Sequence, residues 1–111
     1  MRYTIHENSE NINDNDREFI DSRVGLSLSR FNNITSSFDI VFDKLDNGKS
    51  PLTSCTICIK MTNATDIVVT DSANSIQQAF LITLNRVKRN IERQLKRSKG
   101  SRLGPSLNAR Q

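Results

Sequence analysis

The sequence has no tryptophan, one tyrosine, one histidine, two cysteines, two prolines and four glycines among its 111 residues, and each scarcity closes off a class of function. The lone histidine, His6, stands beside Glu7 with no Ser-His-Asp set and no cluster of ligating side chains around it, and there is no glycine-rich phosphate loop. No enzymatic activity, cofactor, metal or small-molecule substrate is therefore expected. No apolar run approaches the roughly 18 residues that a membrane helix needs, and the polar stretch from Met1 to Asn15 lacks the apolar core of a secretory signal. A cytoplasmic location without a membrane partner is the expectation. The length suits one domain with a single modest core.

The two cysteines, Cys55 and Cys58, spell CTIC, which superficially resembles a metal or redox pair. Thr53 to Met61 alternates and is rich in Thr and Ile, which predicts a strand. Residues three apart on a strand point to opposite faces, so the two sulfurs cannot converge on one zinc. Cys55 then belongs to the core and Cys58 to the surface, and the small disulfide-rich secreted class does not apply. The sequons at Asn33 and Asn63 carry little meaning without secretion.

Alternation in Arg2 to His6 places Tyr3 and Ile5 on one side of a short opening strand. Asn13 to Asp16 supplies helix caps and first-turn acids. The following helix carries Phe19, Ile20, Val24, Leu28 and Phe31 on one face and ends at Asn32-Asn33. Within it, Gly25 costs up to about 1 kcal/mol relative to Ala unless a close contact compensates. Phe38, Ile40 and Phe42 form the inward side of a second strand, and Asn47-Gly48 with Pro51 turns it into a third, whose inward side is Cys55, Ile57, Ile59 and Met61. A fourth strand spans Ile67 to Thr70, and a long helix runs from about Ser75 to Lys99. The fold class is α+β: a β-α-β-β-β-α two-layer sandwich with both helices on one face of a four-stranded sheet. The other face presents Thr4, His6, Asp39, Val41, Asp43, Thr56 and Lys60. Its two aspartates and lack of stacking aromatics make it a poor nucleic-acid platform.

What the sequence does have is a sharp charge division. Up to Asp71 there are 7 Lys and Arg against 11 Asp and Glu, whereas from Ser72 onward there are 9 against 1, so the net charge of +4 conceals a strongly basic last third. In the long helix, Ile76, Phe80, Leu84, Val87, Ile91 and Leu95 recur at intervals of three and four and define the buried stripe. Arg86, Lys88, Arg89, Arg93, Lys96, Arg97 and Lys99 occupy the remaining arc, where Glu92 is the one acid. Solvated helix faces usually mix signs, so this single-sign arc points to a polyanion, nucleic acid above all. Its arginines suit forked contacts with phosphate. Residues 1–99 are thus read as the binding domain and 100–111 as a disordered tail, with phosphate tracking by Arg102 and Arg110 a lesser alternative.

Several segments in this order resemble the bacterial hibernation-promoting factor and ribosome-associated inhibitor family, also called protein Y or sigma-54 modulation proteins. They are Arg17-Glu-Phe-Ile20, Leu28-Ser-Arg-Phe31, Asp46-Asn-Gly48, Cys55-Thr-Ile57, Ile67-Val-Val-Thr-Asp71 and Asn85-Arg-Val-Lys-Arg89. The Leu-Ser-Arg-Phe and Asn-Gly pieces look closest to a short, single-domain divergent branch. The resemblance covers Arg2 to about Lys99 and implies binding to rRNA of the small ribosomal subunit, in the channel used by mRNA and tRNA anticodon ends. Translation would be inhibited, or ribosomes hibernated under stress, by occupancy. Arg86 and Arg89 match family basic sites; Arg93, Lys96 and Arg97 continue that surface, with Arg23 and Arg30 of the first helix as further candidates. The segment Gly48 to Ser54 departs from the branch in lacking glycine and arginine richness. The dimerisation domain of longer members is not in the sequence, so a monomer is expected. The competing class is a protein-interaction or regulatory module whose basic helix docks an acidic partner.

Overall fold

The computed structural model describes residues 3–7, 12–46 and 51–103, with backbone only at residues 46, 51 and 97–103. Its elements are β1 (Thr4–Glu7), α1 (Asp14–Leu28), a 3-10 helix (Ser29–Ile34), β2 (Thr35–Asp46), β3 (Pro51–Met61), β4 (Ile67–Ala73) and α2 (Ile76–Leu103). The four strands form one sheet in the order β1-β2-β3-β4, parallel between β1 and β2 and antiparallel elsewhere. This is the α+β sandwich expected from the sequence. The Asn47-Gly48 turn and residues 104–111 lie outside the described residues.

Local chemistry starts each helix. Asn13 Oδ1 accepts from the Asp16 amide at 2.8 Å and the Asp16 carboxylate accepts from the Asn13 amide at 3.4 Å, a reciprocal capping box. Glu7, at the end of β1, reinforces this start by accepting from the Ile12 amide at 2.8 Å and pairing with Arg17 at 2.6 Å. At α2 the Ser75 hydroxyl accepts from the Gln78 amide at 3.2 Å. Past its basic arc α2 continues to Leu103, through Gly100 and beyond the Lys99 at which the sequence places its end. A single glycine costs about 1 kcal/mol in a helix, which weakens the last turns without forbidding them.

The first helix is shorter than its apolar spacing predicts. It stops at Leu28, and the chain tightens into the 3-10 helix, which brings Phe31 into the core with 5% exposure. Arg30 therefore sits in the 3-10 helix and not in α1. Gly25 is exposed and a Cβ built there would meet no atom within 4 Å, so no close contact offsets its cost.

Ile20, Val24 and Leu28 of α1 and Phe80, Leu84, Val87 and Ile91 of α2 pack onto Phe38, Ile40, Phe42, Cys55, Ile57 and Ile59 of the sheet. Ile76 and Leu95, at the ends of the α2 stripe, are half-buried, as is Phe19. Ala79 and Thr83 are also fully buried, although neither stands out as apolar in the sequence. The Thr83 hydroxyl donates to the Ala79 carbonyl at 2.7 Å, with the Cys55 carbonyl also in reach at 3.3 Å, so its polarity is satisfied inside the core.

Cys55 and Cys58 fall on opposite faces, Cys55 fully buried and Cys58 half-exposed, and both are free thiols. Burial pushes the Cys55 thiol up to about 12. Because only the thiolate reacts, a thiol reagent at about pH 8 should label Cys58 alone in the native chain and both cysteines in denaturant. Mass spectrometry of the labelled chain checks this, and native labelling of Cys55 at the rate of Cys58 would contradict the packing.

β1 and β4 point the same way, since β1 is parallel to β2 and two antiparallel steps lead from β2 to β4. Each helix leaves the carboxyl end of its strand, so α1 and α2 run side by side in the same direction. Gln77 Nε2 donates to Asp16 Oδ1 at 3.2 Å at one end, and Arg30 pairs with Glu92 at 2.7 Å at the other. First-turn acids, Asp14 and Asp16, stand at the start of α1, and the cations of α2 lie toward its end, so each helix carries charge of the sign that its dipole favours at one end.

Candidate nucleic-acid interface

The buried stripe of α2 fixes its rotation over β3 and β4 and turns the cationic arc outward. Arg86, Arg89, Arg93 and Lys96 are exposed, while Lys88 is half-buried. Among the described residues no ion pair engages Lys88, Arg89, Arg93 or Lys96. Arg93 Nη1 donates to Asn90 Oδ1 at 3.5 Å, a weak contact that leaves most of its fork available. Arg97 continues the arc by its position on the helix, one turn beyond Arg93.

Arg86 is held differently. Its Nη1 donates to Asp71 Oδ2 at 2.7 Å, with half of the Arg86 side chain exposed and the aspartate more covered. Asp71 lies on β4, fifteen residues earlier, so no local spacing signals the pair. The carboxylate neutralises part of the charge of Arg86 but also aims it, leaving other guanidinium donors for a phosphate.

Arg23 and Arg30 border the seam between the helices. Arg23 lies over the Phe19 ring at 5.2 Å, and Phe19 meets Phe80 of α2 edge to face at 6.4 Å. Arg30 lies over Phe31 at 4.6 Å and its Nη2 pairs with Glu92. Both cations are exposed, so these contacts orient them while adding little stability. The one acid of the α2 arc is thereby occupied by a cation from the 3-10 helix. The fold brings Arg23, Arg30 and Lys88 to one flank of α2 and Arg86, Arg89 and Arg93 to its crest and other flank.

The opposite sheet face has the expected polar character. His6 Nε2 and Asp39 Oδ1 are 3.1 Å apart across β1 and β2, and the hydroxyls of Thr56 and Thr70 meet at 2.9 Å. Tyr3, Phe38 and Phe42 all face the helices, and no aromatic side chain among the described residues offers a base a stacking surface on the open face. Among the described residues no three metal-ligating side chains come together, and no helix is long and apolar enough to cross a membrane.

By sequence the chain matches no family model and no curated protein. Its structure matches that of the protein Y N-terminal domain of Thermus thermophilus with a TM-score of 0.64 at 15% identity, over 82% of this chain and 94% of that one. It also matches a ribosomal subunit interface protein from Coxiella burnetii with a TM-score of 0.64 at 10% identity, over 81% of this chain and 94% of that one. At these identities the likeness is one of fold, and the chain has the fold of the protein Y N-terminal domain.

Proposed function

We propose that this chain is a ribosome-associated, non-enzymatic protein of the cytoplasm. Its α2 arc binds rRNA of the small subunit in the channel used by mRNA and tRNA anticodon ends, and the bound protein inhibits translation or holds ribosomes in hibernation under stress by occupancy. It acts as a monomer, without cofactor. The observation that carries this reading is the single-sign arc of α2. A helix pinned by Phe80, Leu84, Val87 and Ile91 presents Arg86, Arg89, Arg93 and Lys96 together, on a fold shared with a protein Y domain and a ribosomal subunit interface protein.

The test is co-sedimentation with purified small ribosomal subunits over a range of salt. Each cation that neutralises a phosphate releases condensed counterions, so about five such contacts should weaken binding roughly 100-fold or more between about 50 and 200 mM salt. Binding that ignores salt would contradict the proposal. Capture by an acidic protein in preference to the subunit would favour the interaction-module alternative.

A further inference from the structure

Beside the cationic arc, the β3–β4 turn and the flank of α2 enclose an open groove of about 440 Å³. Its base is the outer edge of β4 at Ile67 and Val68, and Asn90 and Arg93 form the helical wall. Gln94 Nε2 donates to the Thr65 carbonyl at 2.9 Å, which ties the turn to the helix. Asp66 stands on the turn side, where its Oδ1 accepts from the Met61 amide at 3.2 Å. Among the described residues the second carboxylate oxygen of Asp66 and the amide nitrogen of Asn90 have no hydrogen-bond partner.

The groove is therefore polar and two-sided. Its helical wall carries Arg93, with Arg89 and Lys96 within a turn of it, and its far wall carries a carboxylate. An edge strand adds backbone donors and acceptors. A bare phosphate or acidic peptide would suit the Arg93 side and be repelled by Asp66. A ligand anionic at one end, with N–H donors at the other, suits both. An RNA nucleotide has that chemistry: its phosphate is a forked acceptor for arginine, and its base edge presents donors to a carboxylate and acceptors to an amide. The volume lies in the range of small-ligand sites and is too small for a duplex.

We infer that this groove receives one unpaired nucleotide of the bound RNA, its phosphate on Arg93 and its base edge on Asp66 and Asn90. The inference rests on the RNA-binding reading above and adds to it a base-contacting site off the crest of the helix. Guanine, with adjacent N1–H and amino donors, fits the Asp66 carboxylate better than uracil.

The decisive variant is Asp66→Asn. Asparagine keeps an oxygen for the Met61 amide but replaces the second acceptor by a donor, and it raises the net charge of the protein. Attachment by charge alone requires D66N to bind as tightly as wild type or more tightly, whereas the groove proposal requires weaker binding. The full chain and its D66N and N90A variants are titrated against labelled single-stranded hexanucleotides carrying one guanine or none, and against small subunits, with circular dichroism as the control for folding. Each variant should lose roughly five- to ten-fold in affinity for the guanine-containing RNA, with an unchanged salt slope. Unchanged or tighter binding by folded D66N would overturn the inference. If wild type binds small subunits and D66N is indifferent, the groove fails and the ribosomal reading stands. If wild type binds guanine-containing RNA through Asp66 but ignores small subunits, the groove stands and the ribosomal reading fails.

Discussion

Reversal of Arg86, Arg89 and Arg93 to Glu should abolish co-sedimentation with small ribosomal subunits while leaving the fold in place. Each hydrogen-bonded charge interaction contributes about 1.5–3 kcal/mol, so removing three, before any repulsion, weakens binding by about a thousand-fold or more. The salt dependence of any residual binding should flatten by about one unit of slope for each phosphate deprived of its cation. The three side chains are exposed and stand outside the core, so the apolar stripe beneath them is untouched. Arg86→Glu does set a second carboxylate against Asp71, an exposed like-charge pair costing about 1 kcal/mol or less. The double variant R89E/R93E avoids that repulsion and should still abolish most of the binding. Circular dichroism and urea midpoints establish folding, and a folded triple variant that sediments like wild type would exclude α2 as the interface.

Phe80→Ala should have the largest effect on stability of any single truncation in the α2 stripe. The ring is fully buried, and it meets Phe19 of α1 edge to face at 6.4 Å, so it joins both helices. Truncating a buried phenylalanine costs about 3–5 kcal/mol in transfer energy and cavity formation. Domains of this kind have roughly 5–15 kcal/mol in all, so F80A should fall to marginal stability. Urea denaturation should show a lower midpoint at a similar slope. A destabilisation below about 1 kcal/mol would mean that Phe80 does not occupy the core as described. Where F80A remains folded, its subunit binding should persist, because no cation of the arc has been changed. The two experiments thus separate the face that anchors α2 from the face that binds.

Much of the architecture was legible in the residues. Strict alternation in Phe38 to Phe42 and Cys55 to Met61 determined which sides of β2 and β3 face inward, and the three-and-four spacing from Ile76 to Leu95 determined the buried side of α2. The Asn13 cap and its Asp16 partner were equally direct, since capping uses residues three apart. Less legible was the end of α1. The spacing continues to Phe31, but a 3-10 helix carries that last residue into the core, and periodicity alone does not distinguish the two windings. Ala79 and Thr83 gave no apolar signal because one is small and the other polar, and their burial depends on how closely α2 approaches β3.

By itself the sequence determined the fold class, the facing of the strands, the separation of Cys55 from Cys58 and the single-sign arc of α2, because each depends on the period within single elements or on their order along the chain. Only the tertiary structure decided which residues meet across elements. It tied Arg86 to Asp71 and Arg30 to Glu92, moved Arg30 out of α1, and opened the groove between Asp66 and Arg93. The physical reason is that hydrogen bonding and side-chain periodicity within a helix or strand act over a few residues. The meeting of the β3–β4 turn, β4 and α2 is set by strand order and by the angle at which the helix packs, and neither is written in any local spacing.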